Sequence, residues 1–411
     1  MNRKKLSPQL ALKLDMVDVA ERLPIIVRFR LEVVALKAAT GDLPVHHYYH
    51  LTPSALMMVG IKEIDRLSHD QRVARIWLDL PAHTCLDASV PLLGVPAVWR
   101  TGFRGAGIKL AVVDTGVDAN HPALVGRVAV RHDITGEGVV DLNGHGTHVA
   151  GIIAGAGEKY RGVAPEATLM SVKVLRGDGS GMMSGVMAGV EWAVDRGARV
   201  INLSLGIAGA SDGSDALSLT CDAAVDRGAV VCVAAGNDGP GQGSVGSPGS
   251  ARKVITVGAS NDEDAVADFS SRGPTSDGRV KPDVVFPGYR IVSCRAKGTS
   301  LGRVVDDLYT EASGTSMATP HASGAAALLL QSKPNIAPAQ VKELLRVTAK
   351  DLGLPANTQG AGRPQVYQAY LQVPSPVPPS EPTLPPILPP PEAIGCIPGL
   401  VRSLWPRPVG G

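Results

Sequence analysis

The feature that most constrains the fold is an alternation of short apolar runs with helical segments between about residues 105 and 371. The apolar runs lack the strict apolar–polar alternation of half-exposed strands, which is typical of parallel strands covered on both faces. Several of the helical segments end in glycine, the residue favoured just after a helix. This order predicts an α/β fold with a mostly parallel sheet, helices on both faces, and a functional site at the carboxyl ends of the strands. The predicted strands lie in IKLAVVD, ATLMSVKVL, RVINLSL, AVVCVAA and KVITVGA.

The chain divides into three parts. Residues 1–88 are predicted to form an N-terminal extension and a small α+β domain, because LPIIVRFRLEVV and VARIWLDL have strand patterns and IKEIDRLSHD is helix-like. Residues 89–372 are predicted to form the α/β domain. Residues 373–411 are predicted to form a tail, in which 10 of the 18 residues from Pro374 to Pro391 are proline. That composition is typical of an extended segment without a core of its own.

Composition and charge exclude several classes of partner. The formal net charge of the 411 residues is +2, and Lys and Arg are scattered, so we predict no nucleic-acid binding. No apolar run approaches about 20 residues, the length that crosses a bilayer, so we predict no membrane span. The five cysteines form no C-x-x-C pair, and the histidines of HGTH lie too close together for the H-E-x-x-H pattern. We therefore predict no metal site of these kinds.

Four residues at predicted strand ends or helix starts could together form a nucleophilic site. They are Asp114 after IKLAVV, His145 between two glycines, Asn237 after AVVCVAAG, and Ser316 within SGTSMATPHASG. Taken singly, each has an ordinary interpretation, such as a turn residue or a helix N-cap. Taken together, they supply an orienting carboxylate, a base, an amide donor for an oxyanion, and a nucleophile.

Two neighbouring histidines fit this chemistry less well. His148 is predicted to pack or hydrogen-bond within its helix, and His321 lies on the same helix as Ser316, which would carry it away from the hydroxyl. We expect Pro320 within the first turn of that helix, where proline is tolerated. The sequence GTSMA lacks the last glycine of G-x-S-x-G, so an α/β-hydrolase elbow is not supported.

Five ordered segments resemble the signature segments of the subtilisin-like serine proteases, the subtilase family. They are AVVDTGVDANHP, NGHGTHVAGIIAG, INLSLG, VAAGNDG and SGTSMATPHASG, and the similarity spans roughly residues 90–350. The resemblance implies a subtilisin-like fold and a serine endopeptidase of broad specificity that acts through an acyl-enzyme. It implies that Asp114 orients His145, which is general base and then acid for the nucleophile Ser316, in the order known for subtilisin. Asn237 and the backbone N–H of Ser316 would form the oxyanion hole.

The same resemblance implies how substrate is held and how activity is restrained. A polypeptide substrate would pair as an added strand with backbone of the binding segments. The implied substrate-binding residues are Gly179, Ser180, Gly181, Ser204, Leu205, Gly206, Ala234, Ala235 and Gly236. The N-terminal domain would be a propeptide that assists folding and inhibits the site of a monomeric proenzyme. A cut between about Leu80 and Val90 would release it.

Within the family, EKYRGVAPEA, VVCVAAGN and FSSRGPT are most similar to the AprX-like group. Charges at Lys13, Asp15 and Asp18 interrupt the N-terminal region, which does not fit a Sec-type signal peptide. A cytoplasmic location is therefore favoured, and export by another route stays open.

Calcium and substrate preference are further expectations. Ala123 stands where many family members have an aspartate ligand, and GIIAGAGEKYRGVAP is too short for the usual calcium loop. We therefore expect that no cofactor is required and that this tight calcium site is absent, whereas other calcium sites stay open. Asp238 would lie at the rim of the pocket for the P1 residue, on the amino side of the scissile bond. An acidic rim favours basic P1 residues, but a water-screened turn aspartate is an equal alternative.

The alternative function is a catalytically silent peptide-binding module held by its own N-terminal domain. Cleavage of casein, before or after removal of that domain, distinguishes the two functions.

Overall fold

The structure is a computed structural model that describes residues 1–16, 21–31, 35–48, 53–78 and 86–373. The predicted Pro-rich tail beyond Val373 and residues 80–85 of the predicted processing window lie outside the described residues. Contacts between residues divide the chain into two compact units, Met1–Ala88 and Ser89–Gly411.

The first unit is an antiparallel sheet with short helices. In chain order it contains a 3₁₀ turn (Arg3–Lys5), α1 (Pro8–Leu14), β1 (Arg22–Phe29), α2 (Leu36–Thr40), β2 (Val45–Tyr48), β3 (Ser54–Gly60), α3 (Ile61–His69) and β4 (Val73–Leu78). The strand order is β2-β3-β1-β4. Alternate residues of β1 are buried, and Ile25 and Val27 share one core with Ile64 of α3 and Ile76 of β4. The α+β pattern read from the sequence is present here.

The second unit contains the remaining helices and strands. In chain order they are α4 (Leu86–Leu92), α5 (Val95–Arg100), β5 (Lys109–Asp114), β6 (Val128–Asp133), α6 (His145–Ala154), β7 (Thr168–Lys173), α7 (Met183–Asp195), β8 (Val200–Leu203), α8 (Ala216–Asp226), β9 (Val230–Ala234), β10 (Ile255–Ser260), β11 (Val284–Pro287), β12 (Ile291–Cys294), β13 (Arg303–Val304), β14 (Tyr309–Ala312), α9 (Thr315–Ser332), α10 (Pro338–Val347), β15 (Ala349–Lys350), α11 (Ala356–Gln359), β16 (Arg363–Pro364) and α12 (Val366–Leu371).

Seven parallel strands form the central sheet of this unit, in the order β11-β10-β9-β8-β5-β7-β6. Strand β5 lies between β7 and β8, so the strand order reverses beside it. In open α/β sheets, sites form in the crevice that such a reversal creates at the carboxyl ends of the strands. Asp114 is the last residue of β5 and lies at that edge.

Helices cover the sheet on both faces, as the sequence predicts. Helices α7 and α8 share a core with the sheet that includes Val113, Val172, Val190, Leu217 and Val233. Helix α9 packs against β8 to β11, and α6 packs against α9 and β5. Burial at about 25 cal/mol per Å² of apolar surface makes this two-sided covering the main source of stability.

The sequence analysis did not identify β6, β11 or the small antiparallel sheet β12-β14-β13. Strand β6 is the edge strand and alternates between half-buried and exposed residues, so it lacks the continuous apolar run of the central strands. No helix in the described ranges is long and apolar enough to cross a membrane.

Candidate active site

Asp114 and His145 meet at the carboxyl end of β5. Asp114 is fully buried, and His145 is the first residue of α6. The imidazole Nδ1 lies 2.8 Å from Oδ1 of Asp114. Gly146 permits this approach, because a Cβ there would overlap the carbonyl oxygen of Gly116 and lie 3.2 Å from Cβ of Asp114. The glycine after His145 thus allows α6 to pack on the end of β5, in addition to leaving the imidazole accessible.

The hydrogen bond to Asp114 sets the chemistry of the imidazole. A carboxylate only accepts hydrogen bonds, so Nδ1 of His145 carries the proton and Nε2 is left as the acceptor. The side chain of His145 is 20% exposed and borders a cleft. Burial acts to lower the pKa of His145, but the charges of Asp114 and Asp141 and the hydrogen bond that the imidazole donates to Asp114 raise this pKa above its ordinary value. His145 can therefore accept a proton from a group in the cleft.

Ser316 and Ser204 are joined by two hydrogen bonds. Ser316 is the second residue of α9, and its Oγ donates to the carbonyl oxygen of Ser204 at 2.9 Å. Oγ of Ser204 donates in turn to the carbonyl oxygen of Ser316 at 2.8 Å. In this conformation the Ser316 hydroxyl is directed to Ser204 and not to His145. Rotation about one side-chain bond redirects it, and hydrogen bonds of this kind often tighten only when substrate is bound.

Pro320 does not lie where the sequence analysis expected it. Helix α9 begins at Thr315, so Pro320 is its sixth residue and lies beyond the first turn. A proline at this position has no N–H to donate to the carbonyl oxygen four residues earlier, which belongs to Ser316. The hydroxyl of Ser204 takes the place of that missing donor. The prediction was wrong because the Ser204 hydroxyl, which comes from another segment, donates the hydrogen bond that Pro320 cannot.

Asn237 reaches the start of α9 from the segment after β9. Its Oδ1 accepts hydrogen bonds from the backbone N–H of Thr315 at 2.9 Å and from the Thr315 hydroxyl at 3.1 Å. Because the amide oxygen is engaged, the NH₂ group is free to donate on the other side of the carboxamide. The N–H of Ser316 lies in the first helical turn, where α-helices provide no acceptor. These two donors are therefore available beside the Ser316 side chain.

Two cavities border these residues. The first, which we call the long cleft, has a volume of about 440 Å³, and the second, the side pocket, has a volume of about 240 Å³. Every substrate-binding residue predicted from the sequence lines one of them. Residues of the long cleft include His145, Gly179, Ser180, Gly181, Ser204, Leu205 and Gly206. Residues of the side pocket include Leu205, Gly206, Ala234, Ala235, Gly236, Asn237 and Ser316.

Asp141 organises the turn that carries His145, and the sequence analysis missed it. Its side chain is buried and accepts a hydrogen bond from the hydroxyl of Thr115 at 2.9 Å. It also accepts from the N–H groups of Asn143 at 3.1 Å and Gly144 at 2.8 Å. The N–H and the hydroxyl of Thr147 donate to it at 2.9 and 2.6 Å. These bonds hold the segment before α6 against the residue that follows Asp114. An aspartate four residues before His145, in a glycine- and asparagine-rich turn, was the signal that could have found it.

Lys173 is a second residue that the sequence analysis missed. It is fully buried at the end of β7, and its Nζ donates to the carbonyl oxygens of Thr115 at 3.0 Å and Leu175 at 2.8 Å. Glu137 lies 3.3 Å from the same Nζ and accepts the N–H of Gly177 at 2.8 Å. Lys173 thereby joins the end of β5 to the segment that lines the long cleft. A lysine inside the apolar run LMSVKVL was the available signal, since a buried ammonium needs partners.

Other candidate residues have structural contacts. His148 lies with Nε2 at 3.1 Å from the carbonyl oxygen of Ile291 and 3.2 Å from that of Thr310. His321 contacts Ser89 through Nε2 at 2.9 Å and the carbonyl oxygen of Met317 through Nδ1 at 2.9 Å. Both histidines are fully buried. They are placed as the sequence analysis expected, away from the Ser316 hydroxyl.

The segment beside Ala123 forms backbone hydrogen bonds of its own. The carbonyl oxygen of Ala123 accepts the N–H of Ala156 at 2.8 Å, and Ala156 forms an isolated bridge with Arg161. The carbonyl oxygen of Ala123 is therefore already engaged in a backbone hydrogen bond. Within the described residues, no group of three or more His, Cys, Asp or Glu side chains is arranged to hold a metal ion.

Comparison with known proteins places the chain in one family. A model of the subtilase family, Peptidase S8, matches residues 105–362. The chain is 40% identical over 326 residues to serine protease AprX of Bacillus subtilis (strain 168), an alignment that covers 72% of each chain. It is 39% identical over 271 residues to subtilisin DY of Bacillus licheniformis, covering 64% of this chain and 91% of that protein.

A solved structure shows the same architecture. It is described as a cold adapted subtilisin-like serine proteinase, and it superimposes with a TM-score of 0.53 at 35% sequence identity. The match covers 62% of this chain and 86% of the other. The parallel sheet, its surrounding helices and the candidate site all lie in the matched family region.

Proposed function

This chain belongs to the subtilase family and is a serine-type endopeptidase, and on that premise we propose that it cleaves polypeptides through Asp114, His145 and Ser316. The hydrogen bond of 2.8 Å between His145 and Asp114 carries the proposal. It joins residues 31 positions apart at the carboxyl edge of the sheet, with the imidazole bordering the long cleft. Family membership favours this function over the catalytically silent peptide-binding module.

Attack begins with transfer of the Ser316 proton. Once Oγ of Ser316 turns from Ser204 towards His145, Nε2 removes its proton while Oγ bonds to the carbonyl carbon of the substrate. Asp114 keeps the imidazole in the required tautomer and stabilises the imidazolium that forms. His145 then gives the proton to the leaving amine, and the acyl-enzyme is hydrolysed by water through the same steps.

Negative charge on the substrate carbonyl oxygen is stabilised by two donors. We assign these to the side-chain amide of Asn237, oriented by its bonds to Thr315, and to the N–H of Ser316. Donors fixed in advance cost no reorganisation during the reaction, and loss of one typically raises the barrier by about 2.7–4 kcal/mol.

Substrate would lie extended along the long cleft between residues 179–181 and 204–206. Main-chain hydrogen bonds to such segments hold extended polypeptides of many sequences, which supports broad specificity at positions other than P1. We further propose that the unit Met1–Ala88 is the propeptide of a monomeric proenzyme, that no cofactor is required, and that the enzyme acts in the cytoplasm.

Ser316→Ala tests the proposed nucleophile. The variant should fold as the parent does and lose casein cleavage by more than about 10⁴-fold. Ser332→Ala removes a hydroxyl at the far end of the same helix, where it donates to the carbonyl oxygen of Leu329 at 2.8 Å, and should retain activity. Mass spectrometry of both proteins after incubation reports self-processing as well. Processing that persists in Ser316→Ala would exclude this residue as the nucleophile.

A further inference from the structure

The side pocket beside Ser316 has an unusual distribution of charge. One wall is apolar and includes Leu205, Ile207, Ala234 and Ala235. Among the described residues that line it, Asp238 is the only charged one, and it lies next to Asn237 at the mouth. No basic side chain therefore borders the pocket in the part of the chain that the structure describes.

A second carboxylate lies directly behind the pocket wall. Ser247 lines the pocket, is only 6% exposed, and donates its hydroxyl hydrogen to Oδ1 of Asp215 at 2.6 Å. A hydroxyl has one hydrogen, so the Ser247 oxygen can only accept from a group that enters the pocket. The neighbouring hydroxyl of Ser218 likewise gives its hydrogen to Asp215, at 2.7 Å.

Asp215 is held as a carboxylate by hydrogen bonds at the start of α8. Besides Ser247 and Ser218, it accepts hydrogen bonds from the Ser218 N–H at 3.0 Å and from the Ser211 hydroxyl at 3.1 Å. Burial opposes ionisation, but the bonds from Ser247 and Ser218 hold the pKa of Asp215 below its ordinary value. Among the described residues, Asp215 forms no ion pair.

The nearby cation is already neutralised. Arg279 lies in an adjacent loop and pairs with Asp277 at 2.9 Å. Its remaining N–H groups include donors to the carbonyl oxygens of Asp212 and Ser250, at 2.6 and 2.8 Å. Arg279 is therefore engaged by Asp277 and by backbone carbonyls and does not pair with Asp215.

We propose that the side pocket selects a lysine or arginine as the P1 residue of the substrate. This rests on the proposed function, because the pocket becomes a P1 site only if Ser316 is the nucleophile. The aliphatic stem of the side chain would pass along the apolar wall, as long basic side chains do. Its cationic end would donate to Ser247, with Asp215 behind that hydroxyl and Asp238 at the mouth supplying the opposite charge. A hydrophobic P1 residue would gain no electrostatic attraction from either carboxylate.

The two carboxylates should differ in their response to salt. Asp238 is exposed, so its attraction is screened at high ionic strength. Asp215 acts across a buried hydroxyl and is screened less. Removal of either charge should lower selectivity for a basic P1 residue by about 10-fold, the ratio that corresponds to about 1.4 kcal/mol.

The experiment uses four fluorogenic tetrapeptides that share P4 to P2 and carry Arg, Lys, Phe or Glu at P1. The activated parent enzyme should give kcat/KM values for Arg and Lys at least about 10-fold above Phe, with Glu the poorest. A preference for Phe over Arg would overturn the inference and leave the proposed function intact. Cleavage of none of the peptides by an enzyme that also fails on casein would contradict the proposed function, and the inference with it.

Asp215→Asn and Asp238→Asn separate the two charges. Asp215 is the N-cap of α8 and accepts the Ser218 N–H. Asparagine keeps this cap, but its NH₂ group cannot accept from the hydroxyls that bond the second carboxylate oxygen, so the melting temperature of this variant should fall. The variant should reduce the Arg-to-Phe ratio of kcat/KM at low and at high salt. Asp238→Asn should reduce the ratio mainly at low salt, and it tests the inference even if Asp215→Asn fails to fold.

Asp212→Asn is the matched control, because this carboxylate lies in the same loop but bonds Ser214 at the surface. Its Arg-to-Phe ratio should equal that of the parent. An unchanged ratio in both Asp215→Asn and Asp238→Asn would show that the pocket does not use these charges.

Discussion

Ser204 and Ser316 each donate a side-chain hydrogen bond to the other's carbonyl oxygen, at 2.8 and 2.9 Å. The bond from Ser204 satisfies a helix carbonyl that Pro320 leaves without a donor. The bond from Ser316 keeps the hydroxyl directed at a residue that also lines the long cleft. The segment that contains Ser204 and the start of α9 are thus fixed to each other beside the proposed nucleophile.

Ser204→Ala should destabilise the fold by about 2 kcal/mol, because the buried carbonyl of Ser316 loses its donor. It should also lower kcat by shifting Ser316 relative to His145. Pro320→Ala restores an N–H at the correct helical position, so the double variant should lose less stability than the two single variants together. Urea unfolding in a Ser316→Ala background, where autolysis does not intervene, measures each free energy. Ser332→Ala is the control and should leave the free energy of unfolding nearly unchanged. If the loss of stability in the double variant equals the sum of the losses in Ser204→Ala and Pro320→Ala, the two residues are not coupled.

Asp141 should determine the acidic limb of the pH–activity profile. Substrate attack requires neutral His145, and carboxylates at Asp114 and Asp141 raise the pKa of that imidazole. Asp141→Asn removes one negative charge, so the acidic limb of kcat/KM should move to lower pH. The plateau value should fall by about 10-fold, since the turn that carries His145 also loses hydrogen bonds.

The measurement is kcat/KM between pH 4 and pH 9 with one peptide substrate. Asp351→Asn, at an exposed carboxylate that bonds Gly353 and Gln359, should leave the limb in place. If the acidic limb of Asp141→Asn moves to higher pH, Asp141 does not raise the pKa of His145. If the limb stays in place and only the plateau falls, the role of Asp141 is purely structural.

How far the sequence predicts this molecule depends on whether a feature is local. The central strands, the helices between them and the placement of Asp114, His145, Asn237 and Ser316 at element ends follow from apolar runs and glycine stops within single segments. The long-range contacts of Asp141 and Lys173 with Thr115, and of Asp215 with Ser247, could not be predicted, because these segments approach one another only after folding. The error at Pro320 has the same cause, since its compensation comes from Ser204, 116 residues earlier in the chain. Sequence patterns therefore identify the reacting groups more readily than the residues that support them.

Buried neutral histidines should make the fold sensitive to acid. Burial lowers the pKa of His148 to about 3 and that of His321 to about 4. In the unfolded state a histidine has a pKa of about 6.5. The unfolded state therefore binds more protons as pH falls below about 6.5, and stability decreases until the folded-state pKa is reached. Each histidine contributes a slope of up to about 1.4 kcal/mol per pH unit in this window.

His321→Gln should test this for the residue that bonds Ser89. The variant should be less stable than the parent at pH 7 but should lose less stability between pH 7 and pH 5. Urea unfolding at each pH, again with Ser316→Ala, gives the two slopes. His69→Gln replaces an exposed histidine and should retain the parent slope; equal slopes for His321→Gln and the parent would contradict the prediction.

Calcium removal should have no effect through the segment beside Ala123. The carbonyl oxygen of Ala123 is bonded to the N–H of Ala156, and the segment that follows α6 closes through the Ala156–Arg161 bridge. A tight calcium site takes 6–8 oxygen ligands, and binding at a given excess of free metal stabilises a fold by RT ln(1 + [L]/Kd). With these carbonyls committed to the backbone, the melting temperature in excess chelator should match that in millimolar calcium.

Ala123→Asp introduces a carboxylate at the same position and should confer no calcium dependence by itself, because the surrounding oxygens stay engaged. A fall of tens of degrees when the parent is treated with chelator would show that calcium binds tightly elsewhere in the chain or that this segment rearranges to hold it.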